Sequence, residues 1–104
     1  MATGRLANTQ LTTSAATIYT VPTGYYSVFN VSFTNTSTSS VTIRLALTTN
    51  GTSPGTSEYI EYDTTILGKG VFERTGLVLD AGKIVSALAS TGAVINVTVY
   101  GIET

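Results

Sequence analysis

Apolar residues recur at every second position along most of this chain, a period that belongs to strands. From Tyr25 to Asn35 the odd positions read Tyr25, Ser27, Phe29, Val31 and Phe33. The even positions read Tyr26, Val28, Asn30, Ser32 and Thr34. Such a segment makes a long strand with one apolar and one mostly polar face. Val41, Ile43, Leu45 and Leu47 share one face of a second strand, with Thr42, Arg44 and Ala46 on the other. Val94 to Ile102 closes the series, with Ile95, Val97 and Val99 inward. Shorter stretches read the same way: Thr17 to Val21, Glu58 to Asp63 with Ile60 and Tyr62 on one side, Val71 to Leu79, and Ile84 to Ala89. The last of these is bracketed too tightly by Gly82 and Gly92 to be a helix.

The segments between them carry turn chemistry. Pro22-Thr23-Gly24 combines a fixed φ with a free one. Asn35 to Ser40 is a polar connection, Thr49 to Gly55 the longest loop, and Leu67-Gly68-Lys69-Gly70 a turn. Asp80-Ala81-Gly82-Lys83 and Ser90-Thr91-Gly92 are two more. Gly76 interrupts Val71 to Leu79 and marks a bulge. Seven to eight strands at roughly this spacing predict an all-β, antiparallel β-sandwich, of jelly-roll or immunoglobulin-like type. At 104 residues the chain has the length of one domain, 1–104, with residues 1–10 as an extended N-terminal arm. Composition agrees. Charged residues are only 11% of the chain, and Ser and Thr, roughly three residues in ten, take their place. Thr is β-branched and fits a half-buried pleated surface.

The same composition removes whole classes of function. There is no histidine, hence no Ser-His or Cys-His nucleophile pair and no usual metal ligand. There is no cysteine, so neither disulfides nor thiolate-bound zinc can operate. The five basic residues, Arg5, Arg44, Lys69, Arg74 and Lys83, are dispersed, and the net charge is −1. Nucleic acid and anionic membrane are therefore not expected partners. Lys69 and Lys83 sit in Gly-flanked turns, which argues against a Ser-Lys pair, and Gly68-Lys69-Gly70 is not a phosphate loop. The N-terminus lacks an apolar signal-peptide core, so synthesis in the cytoplasm without secretion is the expectation. That expectation makes the Asn-x-Ser/Thr matches at Asn30, Asn35, Asn50 and Asn96 chance products of a Thr-rich chain.

A few residues invite a closer look. In Glu58-Tyr59-Ile60-Glu61-Tyr62-Asp63, strand geometry places Glu61 and Asp63 on one face, about 7 Å apart. That pair suits a calcium site or a glycosidase dyad. The plainer reading, an acidic outer face opposite Ile60 and Tyr62, is preferred because no calcium-loop pattern accompanies it. Glu73 and Arg74 suit ion pairs across strands or between subunits. Tyr25 and Tyr26 follow a turn directly, so one must point outwards; the plainer reading puts one in the core and the other at its rim. An exposed tyrosine stacks on sugars or packs in a protein interface. Tyr25, Tyr26, Glu73 and Arg74 are thus the candidate interface residues. No catalytic residue, cofactor or metal is expected, and the chain reads as a structural or binding module, not an enzyme.

Three stretches carry a family likeness. They are Ile18-Tyr19-Thr20-Val21-Pro22-Thr23-Gly24; Glu61-Tyr62-Asp63-Thr64 with Phe72-Glu73-Arg74-Thr75-Gly76-Leu77-Val78-Leu79; and Val97-Thr98-Val99-Tyr100-Gly101-Ile102-Glu103. In this order they resemble small virion structural proteins of tailed bacteriophages, especially those infecting marine bacteria and cyanobacteria. The resemblance implies a β-sandwich virion component without catalytic residues. One role it implies is capsid decoration: a cement protein, expected as a homotrimer, binding the major capsid protein or other virion proteins outside the assembled head. The alternative is a tail, baseplate or fibre module, with the loop Asn50 to Ser57 and exposed tyrosines contacting a host surface ligand or other tail proteins.

Overall fold

The structure is a computed structural model and describes residues 2–104. It contains eight strands: β1 (Thr3–Gln10), β2 (Ala16–Thr20), β3 (Ser27–Asn35), β4 (Val41–Thr48), β5 (Tyr59–Ile66), β6 (Val71–Leu79), β7 (Ile84–Ala89) and β8 (Ile95–Glu103). One 3-10 turn, Thr56–Glu58, precedes β5. The strands form two four-stranded antiparallel sheets, ordered β1-β8-β3-β6 and β2-β7-β4-β5.

The pairings β1·β8, β2·β7, β3·β6 and β4·β5 describe a ribbon doubled back at the β4–β5 loop, so that its first four strands meet its last four in reverse. Rolling that ribbon adds β3·β8 and β4·β7, which complete the sheets. This is the jelly-roll order, and it decides between the two sandwiches that the strand pattern allowed. Residues 3–10, read from sequence as an arm, form the edge strand β1 along β8; Met1 lies outside the described residues.

The core lies between the sheets and follows the predicted alternation. Phe29, Val31 and Phe33 of β3, Ile43 and Leu45 of β4, and Val97 and Val99 of β8 are fully or almost fully buried. Each such side chain removed from water contributes about 1.5–3 kcal/mol. Tyr19 meets Phe29 edge-on at 6.1 Å, and Phe33 stacks with Phe72 at 6.2 Å. Gly76 has φ 72 and lies where the β3·β6 register slips, the bulge expected of it. At Gly101 a Cβ would stand 2.1 Å from the Val28 carbonyl oxygen, so the β3–β8 approach requires glycine.

Each end of the sandwich is held by a buried polar cluster. At one end Asn35, with no exposed surface, donates through Nδ2 to the carbonyls of Ser39 (2.8 Å), Ile66 (3.1 Å) and Leu67 (3.3 Å). Its Oδ1 accepts from the Ser37 amide (3.0 Å) and hydroxyl (2.7 Å). Its backbone N–H donates to Gly70 O at 2.9 Å. One side chain thus joins the β3–β4 crossing to the β5–β6 crossing. At the other end the Tyr19 hydroxyl donates to Glu103 Oε2 at 2.5 Å and lies 2.6 Å from Ser27 Oγ. Burial, followed by the Glu103 carboxylate, pushes the Tyr19 phenol up to about 12.

Two outcomes follow. Asn35→Ala strands several buried carbonyls and an amide, each costing about 1–3 kcal/mol when unpaired. Chemical denaturation should register a loss of about 2–4 kcal/mol with the slope m unchanged. For Tyr19 the folded-state pKa lies above the ordinary 10.0, so its contribution is whole below pH 10 and lost as pH rises to about 12. Wild type should therefore lose about 2 kcal/mol across that window that Tyr19→Phe does not lose.

Candidate functional site

Residues left outward by the alternation define two distinct faces. On the outer face of β1-β8-β3-β6, Val28 stands opposite Val78 of β6 and Ile102 of β8. All three are exposed, at 38%, 60% and 45%. Three aliphatic side chains in direct cross-strand register make a continuous apolar row. Tyr26, half exposed, adjoins the row, and its backbone exchanges hydrogen bonds with Thr104 at 3.0 and 2.9 Å. Tyr25 is also exposed, so neither tyrosine enters the core, contrary to the expectation that one would. The reason is the turn: Tyr25 N–H donates to Pro22 O, and β3 begins only at Ser27.

Beside the row the outer face becomes polar. Asn8 donates to Thr98 Oγ1 (3.0 Å), Gln10 to Asn96 Oδ1 (3.1 Å), and the Tyr100 hydroxyl to Glu73 Oε2 (2.5 Å). Glu73 and Arg74 part company, as neighbours on a strand must. Glu73 stays on this face with Tyr100, whereas Arg74 bridges the sandwich edge to β5. There its Nη1 bonds Glu61 Oε2 and, at 3.2 Å, Ile60 O. Glu73 therefore stays on the outer face of β6, Tyr25 and Tyr26 lie in the segment that leads into β3, and Arg74 ties the two sheets together.

The second face belongs to β2-β7-β4-β5. Part of it is covered by the β4–β5 loop, where Ser86 Oγ donates to Gly51 O at 2.6 Å. Thr48 Oγ1 and the Gly55 amide both bond Glu58 Oε1, at 2.7 and 2.8 Å, and hold its carboxyl below the usual range. Asn50 Oδ1 accepts from the Thr52 and Ser53 amides at 3.3 and 3.2 Å. The loop is thus anchored to its own sheet at Gly51 and keeps Thr52, Ser53, Thr56 and Ser57 exposed.

Beyond the loop lies a hollow of about 300 Å³, lined by Thr13, Thr42, Arg44, Asp63, Leu88 and Ser90 among others. Its geometry follows from a bulge. Ile43 pairs with Thr64 and Arg44 with Tyr62, leaving Asp63 as the extra residue on β5. Asp63 has φ 56, a conformation Asp tolerates better than most residues. The slip turns its carboxylate onto Arg44, whose Nε and Nη2 donate to Oδ1 and Oδ2 at 2.7 and 3.2 Å. The guanidinium also lies over the Tyr62 ring, 3.9 Å from its centroid, while Tyr59 meets that ring edge-on at 5.3 Å.

The bulge corrects the sequence expectation for β5. Glu61 and Asp63 do not act as a pair on one face: Glu61 faces Arg74, and Asp63 faces Arg44. Nor does Tyr62 share the inward side of Ile60; it is 55% exposed, whereas Ile60 packs against the core. Strict alternation counts residues and cannot register an inserted one. Among the described residues no three acidic side chains gather as a metal site. Searches against family models, curated proteins and solved structures found no match to this chain.

Arg44 holds the Asp63 carboxyl below its ordinary 3.8, mainly through their hydrogen bond. Its share of stability is present above that ordinary value and lost as pH falls through the depressed one. A carboxyl-detected NMR titration should place Asp63 below 3.8 in wild type and return it towards 3.8 in Arg44→Ala.

Proposed function

We propose that the chain is a structural protein of a tailed-phage virion, a decoration protein that binds the outside of the assembled head. The observation that carries this reading is the exposed row Val28–Val78–Ile102 with Tyr26 beside it. An apolar row bounded by hydrogen-bonded polar residues has the anatomy of an interface core with its rim. The likeness of the three sequence stretches to phage virion proteins points to another virion protein as the occupant, and we take the capsid shell as that partner. The jelly roll supports it by analogy, since that fold recurs in viral capsid domains. A single small row binds weakly. Displayed on a trimer over an assembled shell, it gains avidity that free subunits cannot supply. Contacts spanning neighbouring shell subunits would then resist the pressure of packaged DNA. The alternative, a tail, baseplate or fibre module, draws its support from the polar hollow on the opposite sheet, a feature suited to a surface ligand.

Immunogold labelling of intact virions tests the reading, with label expected over the head. Label confined to the tail would replace it with the alternative. Val78→Asp puts a carboxylate at the edge-strand end of the row, beside Val28, without touching the core. Purified variant should keep its cooperative melting transition, yet bind heads that lack only this chain at least about tenfold more weakly than wild type.

A further inference from the structure

We propose that the hollow on the β2-β7-β4-β5 sheet is a binding site for one ring of a neutral carbohydrate. It uses none of the residues of the apolar row and stands whether or not the chain decorates a head. Its volume, about 300 Å³, lies at the small end of ligand pockets, which suits one ring and little more.

Charge selects the ligand class. Arg44 and Asp63 neutralise one another at bidentate distance, so the site offers no net attraction to an anion or a cation. What it offers is fixed hydrogen-bonding capacity. A guanidinium has five N–H groups; with two spent on Asp63, three remain for a ligand. The Asp63 oxygens keep lone pairs for ligand hydroxyls. Donor and acceptor stand side by side, the arrangement that adjacent hydroxyls of a sugar ring satisfy together. Hydroxyls of Thr13, Thr42 and Ser90 add polar groups to the lining, and Leu88 supplies an apolar surface for the ring's C–H face.

The second observation is the backbone beneath Asp63. An αL position inside a strand is normally given to glycine. Here it carries the one carboxylate that completes the site. Bulges of this kind re-aim side chains, and this one aims Asp63 at Arg44. Arg44 is held from two directions, by Asp63 and by the Tyr62 ring, so it loses little freedom when a ligand binds.

The experiment is an amide-detected NMR titration of the full chain with methyl glucoside, galactoside and mannoside, and with glucuronate as charged control. Saturable shifts at Thr42, Arg44, Leu88 and Ser90 are expected with at least one neutral hexoside, and about tenfold weaker binding of glucuronate. Asp63→Asn keeps a residue that tolerates φ above zero, so its spectrum should stay folded while hexoside affinity falls about tenfold or more. Equal affinity for methyl glycoside and free sugar identifies a residue of a glycan chain; loss on methylation identifies the free sugar. No saturable shift at these residues with any hexoside overturns the proposal. So does a response undiminished in Asp63→Asn, or glucuronate binding tighter than every neutral sugar.

Discussion

The side-chain amide of Asn35 fastens together two chain crossings, β3–β4 and β5–β6, that the β3·β6 and β4·β5 ladders bring side by side. A jelly roll must carry its ribbon from one sheet to the other at the sandwich ends, and there the strand ladders lapse. Backbone groups released from the ladders need partners, because an unpaired buried polar group is costly. Asn35 supplies them for both crossings at one end. Tyr19, Ser27 and Glu103 form the matching cluster at the other. The apolar core between these ends is generic; the polar clusters lock the loops that strand pairing sets side by side.

Register is the second constraint. A one-residue slip reverses every side chain beyond it. The β3·β6 slip at Gly76 and the β4·β5 slip at Asp63 both change what faces outwards. On β6, where Glu73 and Arg74 precede the slip and Val78 follows it, the aliphatic row and Glu73 come to share one face. On β5 the slip separates two nearby carboxylates and gives each its own arginine. Both candidate surfaces are thus products of irregular pairing laid over a regular alternation.

The two surfaces differ in kind, and their positions make them compatible. One is an aliphatic row on the outer side of β1-β8-β3-β6, which gains free energy by losing water. The other is a neutral, hydroxyl-lined hollow on the outer side of the opposite sheet. Docking through the first leaves the second facing away. A decoration protein that also holds a sugar ring would present that ring's site outwards from the particle.

By itself the sequence determined the strands, their inward faces and the turns, because these depend on neighbours two to four residues apart. Phe29, Val31, Phe33, Ile43, Leu45, Val97 and Val99 were legible as core from period alone, and Gly76 as a bulge from its lack of a side chain. The absence of histidine and cysteine narrowed the chemistry just as directly. Tertiary structure alone decided the rest. Strand order joins residues nearly a chain length apart, such as Thr3 with Ile102, and local pattern has no information at that range. The row Val28–Val78–Ile102 needs three strands brought into register. The Arg44–Asp63 clamp needs a bulge at a residue that bears a side chain, where no glycine announced it. Both surfaces arise from pairing between distant segments, and pairing is a property of the folded chain.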